Sequence, residues 1–237
     1  MPPAAPTDLA RYYAVVAPFY DDEMAARTDI PLWRDLVARM SARSVLDLGT
    51  GGGRVARALA DRAEVIGIDL LTALIPREPG FEFVQADLRE LPFADGRFDL
   101  AIAANDPFAH LLDDADRAAA IGEAARVARQ VVIDGLSLTA SDDARARATG
   151  CVREAVLPDG LVRHEVWRAT AGPHRYTTAY RYVRDGHTVA EATTEVRAWT
   201  RDDPALRGRW PRISGGLDGR AYDPGQRGFV ISIGGQL

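Results

Sequence analysis

The stretch Val45-Leu46-Asp47-Leu48-Gly49-Thr50-Gly51-Gly52-Gly53-Arg54-Val55 leaves this chain few options. An apolar run, an acid and a series of glycines read as a buried strand, a turn and a helix start. Gly49, Gly51 and Gly53 allow positive φ and close approach of backbone to a ligand. A helix opening at Arg54 aims its free N–H groups over the turn. A glycine loop alone is a weak signal, since such turns also simply join strands to helices. Dinucleotide loops usually carry a small residue where this chain has Asp47, and an acid there suits a ligand with positive charge.

The downstream segments strengthen the reading. From Ser44 the pattern alternates: strand Ser44–Leu48, helix Arg54–Ala60, strand Glu64–Ile68 ending in Asp69, short helix Thr72–Ile75 stopped by Pro76, strand Phe81–Gln85 ending near Asp87. Strand Phe98–Ala103 ends at Asn105. Helix Asp113–Arg129 has acids in its first turn and arginines in its last, which complements the helix dipole. Strand Val131–Asp134 comes next. Strands and helices alternating through short loops predict a doubly wound, mostly parallel α/β sheet. Asp69 lies sixteen residues beyond Gly53, where an acid accepts from two ribose hydroxyls. A carboxylate at Asp87 can accept from an adenine amine, with the Leu88 backbone meeting a ring nitrogen. Acids at the ends of successive parallel strands point into one crevice.

Upstream, Leu9–Arg27 reads as one helix or a pair broken near Pro18, and Pro31 opens another, as proline prefers the first helical position. After about Gly150 the period changes. Cys151–Leu157, Leu161–Ala169, Arg175–Val183 and Thr188–Trp199 are rich in Val, Thr, Tyr and Trp, with Asp-Gly turns at 159–160 and 185–186. This predicts an antiparallel meander inserted before the last strands. A short turn or helix at Arg201–Arg207 and a strand at Gly228–Ile233 complete the pattern. The division expected is a helical lid (1–42), an α/β core (43–150), a β extension (151–200) and a closing segment (201–237).

Composition narrows the chemistry. With 34 acids against 29 bases the net charge is −5, and no basic run exists, which argues against nucleic acid. Every basic residue apart from histidine is arginine; without lysine there is neither a Schiff-base lysine nor a Walker A loop. The single cysteine, Cys151, excludes an internal disulfide and fits a reducing, cytoplasmic setting. Met1–Pro6 lacks the basic flank and apolar core of a signal peptide. No apolar run is long enough to span a membrane. His164, His174 and His187 are not spaced as a metal site, so no metal is expected.

Taken together, the motifs resemble those of class I S-adenosylmethionine-dependent methyltransferases of the small-molecule type. The matching residues are Val45–Gly53, Val65–Asp69, Ala86-Asp87-Leu88 and Phe98–Ile102, with Tyr13–Asp21 similar to the segment that covers the cofactor. The meander resembles the insertion of amino-sugar N-methyltransferases. The resemblance implies S-adenosylmethionine as cofactor, S-adenosylhomocysteine as product and a small-molecule substrate methylated at oxygen or nitrogen. It places Gly49 and Gly51 at the methionine part, Asp69 at the ribose, and Asp87 and Leu88 at the adenine, with Thr50 and Leu70 also among the cofactor-binding residues. Asp47 either orders the loop or pairs through water with the ammonium. The Asn105 backbone faces the methionine amine, and Tyr13 and Tyr20 either contact its carboxylate or cap the site. For a base, the candidates are His110, then Asp106, both beyond the fourth core strand. Trp167, Tyr176, Tyr180 and Trp199 either line an aromatic pocket or belong to the core. The chain departs from the family in its short helix after Asp69 and in lacking a long helix before the last strand. Two alternatives stay open: a protein of this fold that binds the cofactor without methylating, and a nicotinamide-dependent oxidoreductase. Exposed strand edges in the meander suit a homodimer.

Overall fold

A computed structural model describes residues 7–234; the Met1–Pro6 segment lies outside them. In chain order the elements are α1 (Thr7–Ala25), α2 (Ile30–Arg39), β1 (Ser44–Leu48), α3 (Arg54–Leu59), β2 (Glu64–Asp69), β3 (Glu82–Gln85), β4 (Phe98–Ala103), α4 (Asp114–Val127), β5 (Ala128–Gly135) and α5 (Ala140–Ala148). Then come β6 (Cys151–Val156), β7 (Val162–Ala169), β8 (Arg175–Arg184), β9 (His187–Arg197), β10 (Arg212–Ser214) and β11 (Phe229–Gly234).

Seven strands form one sheet in the order β10-β11-β5-β4-β1-β2-β3. β1 to β5 run parallel, and β11 and β10 close the edge antiparallel. The strand order reverses between β1 and β4, and a crevice opens at their carboxyl ends at such a point. β1 is buried after its first residue, as a central parallel strand must be when both faces are covered. Leu46 and Leu48 pack with α4 side chains such as Ile121 and Val127. Val45 faces the other way, with Trp33, Leu36, Val37 and Leu59 of α2 and α3.

The meander forms a second sheet, β6-β7-β8-β9. Trp167 and Tyr176 pack there with Cys151, Val196 and the core-side Ala109. α1 lies against this sheet: Val16 is buried with Leu157, Leu161, Tyr182 and Ala192, and Phe19 stacks on Tyr182 at 4.3 Å.

Several sequence-based boundaries need correction. α1 is unbroken through Pro18. Ala14 and Pro18 are both exposed, so the carbonyl that loses its donor meets water rather than a core. Thr72–Ile75 is not a helix but a turn, held by Ile75 N–H donating to the Thr72 carbonyl. α5 and β10 had no counterpart in the pattern. Tyr176 and Trp199 are core residues, 1% and 2% exposed. No helix among the described residues is long and apolar enough to cross a membrane.

Candidate functional site

The glycine loop after β1 is built by contacts that a side chain would prevent. At Gly49, φ is +65° and an added Cβ would lie 2.3 Å from Pro107 Cβ, so the loop after β4 can press against it only because the position is bare. Gly51, at φ +54°, leaves room for the Tyr20 hydroxyl, which would sit 2.7 Å from a Cβ. Asp69 ties the turn down. One of its oxygens accepts from Gly51 N–H and the other from Leu71 N–H, each at 2.9 Å. Burial pushes its pKa up, against those hydrogen bonds.

Asp47 lies beneath the loop, 2% exposed, and accepts from the Thr50 hydroxyl at 2.7 Å. Of its two expected roles the geometry corresponds to the first, ordering the loop. Burial lifts its pKa to about 7, with the Thr50 hydrogen bond opposing. Neither Asp47 nor Thr50 lines the cleft above. That cleft is lined by Gly49, Gly51, Asp69, Leu70, Leu71, Leu74, Asp87 and Leu88 from one side, and by Tyr13, Tyr20, Asn105 and His110 from the other. Asp87 reaches the cleft already paired: Arg89 donates through its backbone N–H at 2.8 Å and through Nη2 at 2.6 Å. Burial raises the Asp87 pKa, but Arg89 outweighs it and the carboxyl sits below its ordinary value.

α1 roofs this cleft. Beyond its end, Arg27 donates to Asn105 Oδ1 and Asp134 Oδ2, each at 2.8 Å. Glu23 accepts from Arg163 Nη1 at 2.9 Å and from the Tyr182 hydroxyl, which fastens α1 to the meander. On the far side of α1 a second cavity of about 540 Å³ lies between core and meander. Arg153, Arg163, Glu165, Trp167 and Tyr180 line it from the meander. Of the aromatic residues singled out, Trp167 and Tyr180 therefore face a cavity. Glu23, Arg27, Asp134, Arg153, Arg163 and Glu165 were not anticipated. They come together from distant segments, and the one local signal is charge on the inward phase of β6 and β7.

The two candidate bases differ sharply. Asp106, at φ +49°, has both oxygens committed: Oδ2 accepts from Leu136 N–H at 2.7 Å and Oδ1 from the Trp199 indole at 3.1 Å. It bridges two loops, and burial raises its pKa to about 6 against the attraction of Arg117. His110 ends the 3-10 turn Pro107–His110. Its Nε2 lies 3.2 Å from the Tyr13 hydroxyl, while its buried Nδ1 has no partner among the described residues. Burial lowers its pKa to about 4, so the ring is neutral at ordinary pH.

Residues 45–130, which span the loop, Asp69, Asp87 and His110, match the family model for a methyltransferase domain. Residues 45–130, little more than a third of the chain, are thus similar to a methyltransferase domain. The matched residues hold β2 to β4, nearly all of β1 and most of the cleft lining; α1, which adds Tyr13 and Tyr20 to the cleft, and the meander lie outside them. Curated relatives include the demethylmenaquinone methyltransferase of Beutenbergia cavernae, 36% identical over 106 residues, or 40% of this chain and 44% of the relative. The malonyl-[acyl-carrier protein] O-methyltransferase of Enterobacter lignolyticus is 34% identical over 42% of each chain. The chain thus spans less than half the length of the curated relatives it matches. Among solved structures, the CcbJ methyltransferase of Streptomyces caelestis superposes with a TM-score of 0.77 at 20% identity, covering 94% of this chain and 97% of that one. The S-adenosylmethionine-bound amino pentose methyltransferase CalS10 of Micromonospora echinaspora gives 0.65 at 19% identity, covering 91% and 95%. At such identities the likeness is one of fold, and it includes the region of the meander.

Proposed function

We propose that this chain is an S-adenosylmethionine-dependent methyltransferase acting on a small molecule at oxygen or nitrogen. The observation that carries the reading is the junction of the two compartments. Tyr13, Tyr20, Asn105, Asp106 and His110 line both the cleft over the glycine loop and the larger cavity beyond it. In-line displacement needs donor and acceptor held facing each other away from water, and two abutting pockets under one helix provide that arrangement.

The cleft suits the cofactor chemically. Leu70, Leu71, Leu74 and Leu88 offer apolar surface to a purine, and Asp69 stands at the end of β2 where ribose hydroxyls donate. Asp87 and Asp116 are both paired with Arg89, so the acid of this lining without an arginine partner is Asp69. When bound, S-adenosylmethionine supplies a methyl group already activated on sulfur. The chain's residues do the rest. Gly49 and Gly51 let backbone approach the methionine part, Asp87 and Leu88 hold the adenine edge, and Tyr13, Tyr20 and Asn105 close the site. His110 takes the proton of the nucleophile. The ring is neutral, and whichever of its nitrogens lacks the hydrogen offers the lone pair that can act as base. Asp106 holds the turn that presents His110. The core (43–150) binds the cofactor, and the lid (1–42) and extension (151–200) enclose the acceptor. The reading includes a homodimer through the free edge of β6, where Val152 and Val156 are 67% and 73% exposed.

Calorimetric titration with S-adenosylmethionine, S-adenosylhomocysteine and NAD tests the cofactor. Binding of the first two and not the third is expected, and it should vanish in Asp87→Ala. Binding of NAD alone would replace this reading with the oxidoreductase one. His110→Gln should lower methyl transfer about 100-fold or more while leaving affinity for S-adenosylhomocysteine unchanged.

A further inference from the structure

The large cavity holds four arginines, and three of them hold a carboxylate within 3 Å, although Arg27 and Arg163 each keep a buried Nε without a hydrogen-bond partner among the described residues. Arg27 pairs with Asp134 at 2.8 Å, Arg163 with Glu23 at 2.9 Å and Glu165 at 3.2 Å, and Arg227 with Asp142 at 2.5 Å. Arg153 is different. It lies on β6 directly opposite Glu165 on β7. Yet its approach to that carboxylate is 3.9 Å, from Nη1 to Oε1, beyond hydrogen-bond reach. That oxygen already accepts the Trp167 indole N–H, and the other accepts from Arg163. The Arg153 guanidinium is instead laid over the Trp167 ring at 4.8 Å.

Its Nε and Nη2 are buried and have no partner among the described residues. These two nitrogens form one long edge of the guanidinium, the edge whose parallel N–H bonds meet two oxygens of a carboxylate or phosphate. Stacking on Trp167 orients that edge without using it. A buried, charged and pre-oriented donor pair is costly to leave empty, and a ligand oxyanion would fill it. Arg153 lines the large cavity and not the cleft over the glycine loop, whereas His110 lines both. The two residues therefore mark different parts of one acceptor space.

We infer that the molecule methylated by this chain carries an oxyanionic group, received by the Nε/Nη2 edge of Arg153 on the meander side while its nucleophile is presented near His110. This rests on the proposed reading of the cavity as the acceptor side. It makes the meander a specificity element: the core holds what any such enzyme needs, and β6 and β7 select the charge of the acceptor.

The test uses three probes of one shape on the protein saturated with S-adenosylhomocysteine: benzoate, phenyl phosphate and neutral benzamide, monitored by calorimetry and by tryptophan fluorescence. One or both oxyanions should bind about tenfold more tightly than benzamide. Whichever of the two binds better identifies the group as carboxylate or phosphate. Arg153→Gln should erase the preference, and Arg153→Lys, which keeps the charge but not the two-donor edge, should restore only part of it. Arg181→Gln, on the exposed side of β8, should leave it intact. Equal binding of all three probes, absence of oxyanion binding, or an unchanged preference in Arg153→Gln overturns the inference. Titration of the same proteins with S-adenosylhomocysteine is read separately. Failure to bind it, with oxyanion preference still dependent on Arg153, removes the methyltransferase reading and leaves an anion site.

Discussion

Arg117 is fully buried in α4 and ties together segments far apart in the chain. It donates to Asp203 Oδ2 at 3.0 Å, to the Arg197 carbonyl at 2.7 Å and to the Phe108 carbonyl at 3.2 Å, and lies over Trp199 at 4.1 Å. Arg117→Leu removes one member of a buried pair and frees two carbonyls, so a loss of about 3 kcal/mol is expected from urea unfolding. The turn that carries His110 should loosen with it. His110 and Asp47 make opposing contributions to pH dependence. Burial depresses His110 to about 4, against an ordinary value near 6.5. Between those values the unfolded chain binds more protons, so this contribution raises stability with pH and is lost as pH falls. Asp47, lifted to about 7, keeps a proton that the unfolded chain releases above about 4, so its contribution falls as pH rises. Removing the first exposes the second. His110→Gln should show stability declining with pH across about 4 to 6.5 more steeply than the parent chain. Parallel urea midpoints for the two proteins would contradict the histidine assignment.

Among the elements, legibility tracked how local each cause is. β1, β2 and β4 were readable because apolar runs ending in an acid or Asn at the crevice are local patterns. α5 was not readable. Its sequence Ala-Ser-Asp-Asp-Ala-Arg-Ala-Arg-Ala has no apolar stripe, and it is held by the Thr139 cap and the Asp142–Arg227 pair, whose members lie 85 residues apart. β10 is three residues long and exists because β11 offers an edge. The glycine loop was equally local, so Gly49, Gly51 and Asp69 could be named in advance and the cleft they line could be foreseen. Arg153, Glu165 and Glu23 could not, since the larger cavity is made by α1 folding across strands more than a hundred residues later. That clamp can be probed. Glu23→Ala deletes the acceptor shared by Arg163 and Tyr182, and amide exchange in α1 should quicken about tenfold while the central sheet stays protected. Unchanged exchange in α1 would assign its hold to Val16 and Phe19 instead.

For the molecule as a whole, two sheets meet across one helix, and among the described residues the outer sheet ends in an unpaired strand. Exposed Val152 and Val156 share one face of β6, with Trp210, 89% exposed, elsewhere on the surface. Light scattering on the eluting protein should give the mass of a dimer, and the pair Val152→Asp with Val156→Asp should halve it. A monomeric parent chain would remove the β6 contact. The position of α1 carries a further consequence. Tyr13 and Tyr20 stand in the wall between cleft and cavity, so whatever settles on one side alters the surface met on the other. On the proposed function, such a partition would couple the two occupancies. By thermodynamic reciprocity, if the spent cofactor tightens the hold on an acceptor by some factor, the acceptor tightens the hold on the spent cofactor by the same factor. An excess of acceptor would then slow its own turnover by trapping the product of the previous round.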